Sequence, residues 1–383
     1  GLEGDIFYRD ISNLMPPVPL GPMGKKLSKA FESLGWHWWP AYSALNTIPF
    51  NGRPKETYLR PSNIGDITGS KGSSDKTYLP LAKDNGLILK KSCTVVNIEC
   101  DHHKVTCVNY IDENKKSQKA KAKIYLLTAS GAGTPRILLN SRSSIHQNGL
   151  ANSSGLVGKN LMLHPLGYIE GHFKENLQSN IGAQGCCLLS QEFYKTRTEH
   201  DFKRGYTFQV LRGPLPIESA LNLVSRKILK FGSKTFMNDF LSIFNHTAHM
   251  TVITEDLPET SNYLELNYND LDNLGMPGIS VNYKLSQNTR KMISHGLDNG
   301  RKLLKEAGAY KTFAFGPVKN TGWHIMGTCK MGNNPSESVV NKHGQCHDLE
   351  NLYISDSSIF ASSSGVNPAS TICALSLYIS DCI

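Results

Sequence analysis

At 383 residues the chain is too long for one small module, and 39% apolar against 19% charged residues excludes a disordered or fibrous protein. Lys and Arg exceed Asp and Glu, 41 to 32, giving +9, but the basic residues are scattered. The densest group (Lys115, Lys116, Lys119, Lys121, Lys123) falls in an expected hairpin, so a nucleic-acid partner is not expected. No apolar run reaches the roughly 18 residues of a transmembrane segment. Residues 1–10 carry acids where a signal peptide is apolar, and the nine cysteines show no repeated pairing, so free thiols are expected. A first residue that is glycine fits a processed or incomplete chain.

Leu27, Ala30, Phe31 and Leu34 fall at i, i+3, i+4 and i+7, which predicts an amphipathic helix over 24–34, ended by Gly35. Trp36, Trp38 and Trp39 follow, and indoles so grouped wall either a core or a pocket. A Gly/Ser-rich loop over 65–75 leads into a short helix, capped by Ser74 or Asp75, that ends at Gly86. Its Gly69-Ser70-Lys71-Gly72-Ser73 stretch misses the register of a phosphate-binding loop and reads as a plain loop.

Residues 87–91 and 94–99 have strand texture, and 104–111 with 121–128 flank the turn Asp112-Glu113-Asn114 as a hairpin. The continuous run Ile124-Tyr125-Leu126-Leu127 predicts a strand of a parallel sheet, buried on both faces. Thr128-Ala129-Ser130-Gly131-Ala132-Gly133-Thr134-Pro135 follows, then a helix over 136–141. Small residues between a strand and a helix start permit close approach of a phosphate or an aromatic cofactor.

From 166 to 285 the texture is antiparallel, with strands at 205–211, 247–254, 263–267 and 279–283 and helices between. A helix over 287–307 turns Met292, Ile293, Leu297, Leu303, Leu304 and Ala307 inward and ends at Gly308.

The last third holds His324-Ile325-Met326-Gly327-Thr328-Cys329-Lys330-Met331-Gly332, then Asn351-Leu352-Tyr353-Ile354-Ser355-Asp356-Ser357-Ser358, then Gly365-Val366-Asn367-Pro368-Ala369-Ser370-Thr371. The series resembles the C-terminal signature of the glucose-methanol-choline (GMC) flavoprotein oxidoreductases, written H-x-x-G-T-x-R-M-G, N-L-Y-V-x-D-x-S and G-x-N-P-x-x-T. The Gly-Thr-Pro segment and the stretch 150–161 resemble the same family's middle.

That resemblance implies an α/β plus α+β architecture: a Rossmann-like FAD-binding domain with an inserted antiparallel-sheet substrate domain. Residues 1–165 are then the remainder of the FAD domain with cap elements, 166–310 the substrate domain, and 311–383 the catalytic return to the FAD domain. It also implies a small-molecule alcohol as substrate, an unassigned electron acceptor, and hydride transfer from a CH–OH group to flavin N5. His324 falls on the family's catalytic histidine and Asn367 on its partner. Val95, Gly131, Gly133, Thr134, Pro135, Asp356, Asn367 and Pro368 fall on cofactor-binding positions.

A base titrating near neutrality suits removal of the hydroxyl proton, and a neutral amide holds the oxygen without adding charge. Other readings stay open: Asn367-Pro368 as a helix-starting turn, and Asp356 as a cap. Cys329, His343, Cys346 and His347 lack a paired C-x-x-C, and no metal site is expected. Hydroxynitrile lyases share the fold, so a lyase is the alternative enzyme and a flavin-free remnant or scaffold the alternative without activity.

The family's opening strand, G-x-G-x-x-G turn and helix have no counterpart here. An FAD domain lacking its first βαβ unit, with the parallel sheet open on that side, is therefore expected. Lys330 stands where Arg is usual, Ala361 where Pro is, and Leu163 where Asp is common before His164. No cysteine occurs over 58–75.

Overall fold

The computed structural model describes residues 14–58, 65–182 and 185–383. Its elements in chain order begin with α1 (Gly21–Ser33), β1 (Trp39–Pro40), α2 (Tyr78–Asp84), β2 (Thr94–Cys100), β3 (Val105–Ile111) and β4 (Ser117–Ala120). Then come β5 (Tyr125–Leu127), α3 (Ser130–Asn140), β6 (Leu166–His172), β7 (Cys186–Ser190), β8 (Tyr206–Leu211), α4 (Pro216–Ser225) and α5 (Phe236–Ile243). The series closes with β9 (Thr247–Thr254), β10 (Tyr263–Leu271), β11 (Pro277–Asn282), α6 (Gln287–Glu306), β12 (Lys311–Phe315), β13 (Leu352–Ile354) and α7 (Ala369–Ser380). Two compact units divide the chain, one taking 1–88, 166–254 and 290–318, the other 89–165, 255–289 and 319–383.

The first unit is built on an antiparallel sheet of order β1-β7-β8-β9-β6-β12. Residues directly opposite share a face, and Ile169 faces Met250, Val210 faces Met250, and Phe208 faces Val252. These side chains are buried together with Leu27 and Phe31 of α1 and Leu303 and Leu304 of α6. Close approach of α6 depends on its glycines, since a Cβ on Gly300 would lie 2.6 Å from Ile169 Cδ1. Trp36 stacks on Phe208 at a centroid distance of 6.2 Å, and Trp39 is buried, so the indoles wall a core.

The opposite face of the same sheet is polar. Alternation along β6 and β9 places Tyr168, Glu170 and His172 beside Thr251, His249 and Thr247. Glu170, its side chain 3% exposed, receives Arg226 at 2.9 Å and His172 at 2.7 Å. Burial alone would raise this carboxyl, but His172, His249 and Arg226 hold it down to about 2.

In the second unit, β2, β3 and β4 form an antiparallel sheet, β10 and β11 a hairpin, and β13 pairs β5 in parallel. The parallel pairing of β5 was expected, but the burial on both faces expected with it is corrected: Tyr125 is buried, while Ile124 and Leu126 are exposed. A second correction concerns the hairpin. β3 pairs with β4, Ile111 opposite Ser117, and not with 121–128. β4 (Ser-Gln-Lys-Ala) is exposed throughout and carries no apolar alternation for a sequence to show. Residues 87–91 form no strand, and Ser74 and Asp75 do not cap α2, which follows Thr77. No helix among the described residues is long and apolar enough to cross a membrane.

Candidate active site

The site lies in the second unit and starts from a backbone bridge. Met162 and Met326 exchange two N–H···O hydrogen bonds, each 3.0 Å, as an antiparallel pair. In that register the residues two positions on, 164 and 324, stand opposite each other on one face. His164 Nδ1 and His324 Nδ1 accordingly meet at 2.7 Å.

The carbonyl oxygens of Ser363 and Ser364 lie 3.2 and 2.9 Å from His164 Nε2. Carbonyls only accept, so that nitrogen carries the proton and donates. Burial, with the neighbouring His324 second, lowers the His164 pKa to about 4, and the ring is neutral at pH 7. Its Nδ1 is therefore an acceptor, and His324 must hold its own proton on Nδ1. The lone pair on His324 Nε2 is thus left facing Asn367 Nδ2, at 3.4 Å. His324 is half-buried, which lowers its pKa, and Asn367 is exposed.

The loops that carry these groups are fastened to α3. Pro135 lies inside α3 and supplies no N–H, so the carbonyl of Gly131, four residues back, lacks its helical donor. Thr328 Oγ1 donates to that carbonyl at 2.7 Å, and Ser357 Oγ donates to Ile325 O at 2.7 Å. Gly131 is required at this contact: a Cβ there would stand 2.3 Å from Ile325 O.

Asp356 closes the other side of α3. Its Oδ2 accepts from Ser130 N–H at 3.0 Å and from Thr134 Oγ1 at 2.5 Å, and its Oδ1 accepts from Ser358 N–H at 2.8 Å as the cap of the turn Ser357–Ile359. A carboxylate at a helix N-terminus is favourably placed. A second buried acid, Asp256, receives Leu163 N–H and Tyr283 O–H and exchanges hydrogen bonds with Ser363, which fixes the loop that His164 reaches. Burial pushes its carboxyl up to about 6.

His324 and Asn367 are thus brought together, as are Gly131, Thr134, Pro135 and Asp356 around the start of α3. Pro368 is buried at the cap position of α7, and Asn367 turns its side chain to His324. Gly133 is half-buried within α3. Val95 lies on β2 opposite Tyr110, while α3 meets β2 through Asn140, which donates to Val96 O at 2.9 Å. Sequence reasoning passed over His164 and Asp256. An isolated His-Pro step and a lone Asp carry no spacing signal; the Met162–Met326 register is what gives His164 its place.

Donors and acceptors decide what a flavin would meet here. Asp356 retains lone-pair capacity beyond its three hydrogen bonds, and the Nδ2 of buried Asn160 has no partner among the described residues. These groups, with His324 and Asn367, fit the neutral ring and polyol end of FAD. The N-terminus of α3, where a pyrophosphate is favoured, is already filled by Asp356. Among the described residues no group of three or more His, Cys, Asp or Glu could hold a metal ion.

Residues 21–166 match the N-terminal GMC oxidoreductase profile and residues 258–376 the C-terminal one. The chain is 35% identical over 388 residues to 2-methyl-1,2-propanediol dehydrogenase of Mycolicibacterium austroafricanum, covering 100% of this chain and 70% of that protein. It is 28% identical over 378 residues to the fructose dehydrogenase large subunit of Gluconobacter japonicus, covering 96% and 67%. The crystal structure of pyridoxine 4-oxidase from Mesorbium loti superposes with a TM-score of 0.64 at 16% identity, covering 95% of this chain and 71% of that one, a likeness of fold. The chain belongs to the GMC oxidoreductase family.

Proposed function

We propose that the protein oxidises the CH–OH group of a small-molecule alcohol with FAD, His324 acting as the base. The observation that carries this reading is the tautomer that His164 enforces, which leaves the lone pair of His324 Nε2 beside the amide of Asn367. FAD, when bound, supplies the acceptor for the hydride that leaves the alcohol carbon.

The residues supply the rest. His324 Nε2 takes the hydroxyl proton, so that loss of the hydride yields a neutral carbonyl. Asn367 Nδ2 donates to the same oxygen as negative charge develops on it. His164 holds the ring of His324 and its Nδ1 proton. Asp356, Thr134 and Pro368 would hold the cofactor's polyol and ring, and Val95, Gly131 and Gly133 would border it. In this reading 1–165 and 311–383 contribute to a Rossmann-like FAD domain. Residues 166–310 form the substrate domain. The dehydrogenase names of the relatives described above support oxidation over the lyase alternative.

The test is to load the protein with FAD and mix it anaerobically with a vicinal diol, a sugar and a long-chain alcohol, following loss of the oxidised flavin band. Bleaching by at least one supports the reading. Cleavage of a cyanohydrin without bleaching by any alcohol contradicts it.

A further inference from the structure

The connection between β8 and β9 carries a surface that the proposed chemistry does not use. Helices α4 and α5 pack on each other through Leu223, Leu229 and Phe240, with Phe236 and Phe244 beside them, a small core separate from the one under the sheet. Because the pair satisfies its own core, the apolar side chains on its outside are not required for folding. Ile217 and Leu221 are exposed at i and i+4 of α4, and Met237 and Leu241 at i and i+4 of α5. Ile228 and Phe231 are exposed in the link, Phe231 and Ile217 at 78% each. Single exposed apolar residues are ordinary, but six on one helical pair need a cause.

Charge indicates the cause. Residues 226–234 hold Arg226, Lys227, Lys230 and Lys234 and no acid. Arg226 is engaged by Glu170 at 2.9 Å, which leaves three exposed lysines around Phe231. A symmetric contact with a second copy would set like-charged tips against each other. An anionic lipid surface neutralises them and receives the apolar side chains. The lysines stand in the link between the helices, beside exposed Phe231 and Ile228 and outnumbering the one exposed acid of each helix, Glu218 of α4 and Asp239 of α5. Basic and apolar side chains exposed together suit an anionic lipid interface.

We propose that the α4–α5 pair docks the protein on the surface of an anionic phospholipid membrane, Phe231 and its apolar neighbours entering the headgroup boundary while Lys227, Lys230 and Lys234 meet lipid phosphates. The inference is independent of the oxidation reading.

The test is flotation of the full chain with vesicles of phosphatidylglycerol and phosphatidylcholine in equal parts, and with phosphatidylcholine alone. Binding is expected on the anionic vesicles and is weakened by salt. K227Q/K230Q/K234Q should bind about 100-fold more weakly, from the worth of a lysine near an anionic surface. F231S/L241S should lose roughly tenfold or more at any salt concentration. Circular dichroism melts equal to the parent confirm that both variants are folded. No flotation of the parent, or flotation that neither variant weakens, overturns the proposal. So does a vesicle-independent dimer in light scattering that F231S/L241S splits.

Discussion

His164 and His324 share a single proton across 2.7 Å between their Nδ1 atoms, and the carbonyls of Ser363 and Ser364 decide which ring owns it. A base whose tautomer is fixed by a third group loses its function when that group can no longer fix it. H164F removes the acceptor and frees the ring of His324, so flavin reduction by substrate should slow about 100-fold with KM little changed. H164N, whose amide oxygen can accept from Nδ1–H, should recover part of the loss. Equal rates in the two variants would mean that His164 only fills space.

The pH dependence follows from burial. The pKa of His324 lies below the ordinary histidine value because the ring is half-buried. A base works only when unprotonated, so the rate is present above this pKa and is lost as pH falls through it. The acid limb of the flavin-reduction rate should therefore have its midpoint below about 6.5, the ordinary value. A midpoint above that value would assign the limb to another group.

Gly131 joins α3 to the segment bearing His324. In G131A the added Cβ meets Ile325 O, 2.3 Å away, and neither backbone can yield freely. Overpacking of this kind costs about 1–3 kcal/mol, readable as a lower midpoint in urea. Flavin reduction should slow as well, since the same shift moves His324. Unchanged stability and rate would show that the contact relaxes without cost.

In the sheet unit the prediction concerns acid stability. Glu170 is held at about 2, below its ordinary 4.5. Its contribution is present above pH 4.5 and is lost as pH falls toward 2; the shift corresponds to about 3 kcal/mol. E170Q should therefore be destabilised by about that amount at pH 7 and by much less near pH 3. Chemical unfolding at both pH values reads the difference, and a penalty that does not shrink in acid would place the effect in packing.

Strong periodic signals were legible and weak ones were not. The apolar spacing of α6 and the strand texture of β8 and β9 stand where the sequence puts them, and a parallel partner for β5 was anticipated, which the structure shows to be β13. α3 begins at Ser130, six residues before the expected start, because Pro135 is accommodated inside it by the Thr328 hydroxyl. β6 was missed since Gly167 and Gly171 dilute its strand texture and its polar face holds Glu170 and His172. In the site, His324, Asn367 and Asp356 were visible through motifs local in sequence. The contact of His164 with His324 spans 160 residues, and only the folded register brings the two rings together.

The central claim, that His324 is the base, is tested most directly by anaerobic stopped-flow reduction of the flavin-loaded protein by a reactive alcohol. H324A should retain its flavin and be reduced slower by a factor of about 10² to 10⁴, with N367A losing less because its hydrogen bond is neutral. Reduction of H324A at the parent rate would contradict the account, and loss of flavin from H324A would make His324 a structural residue.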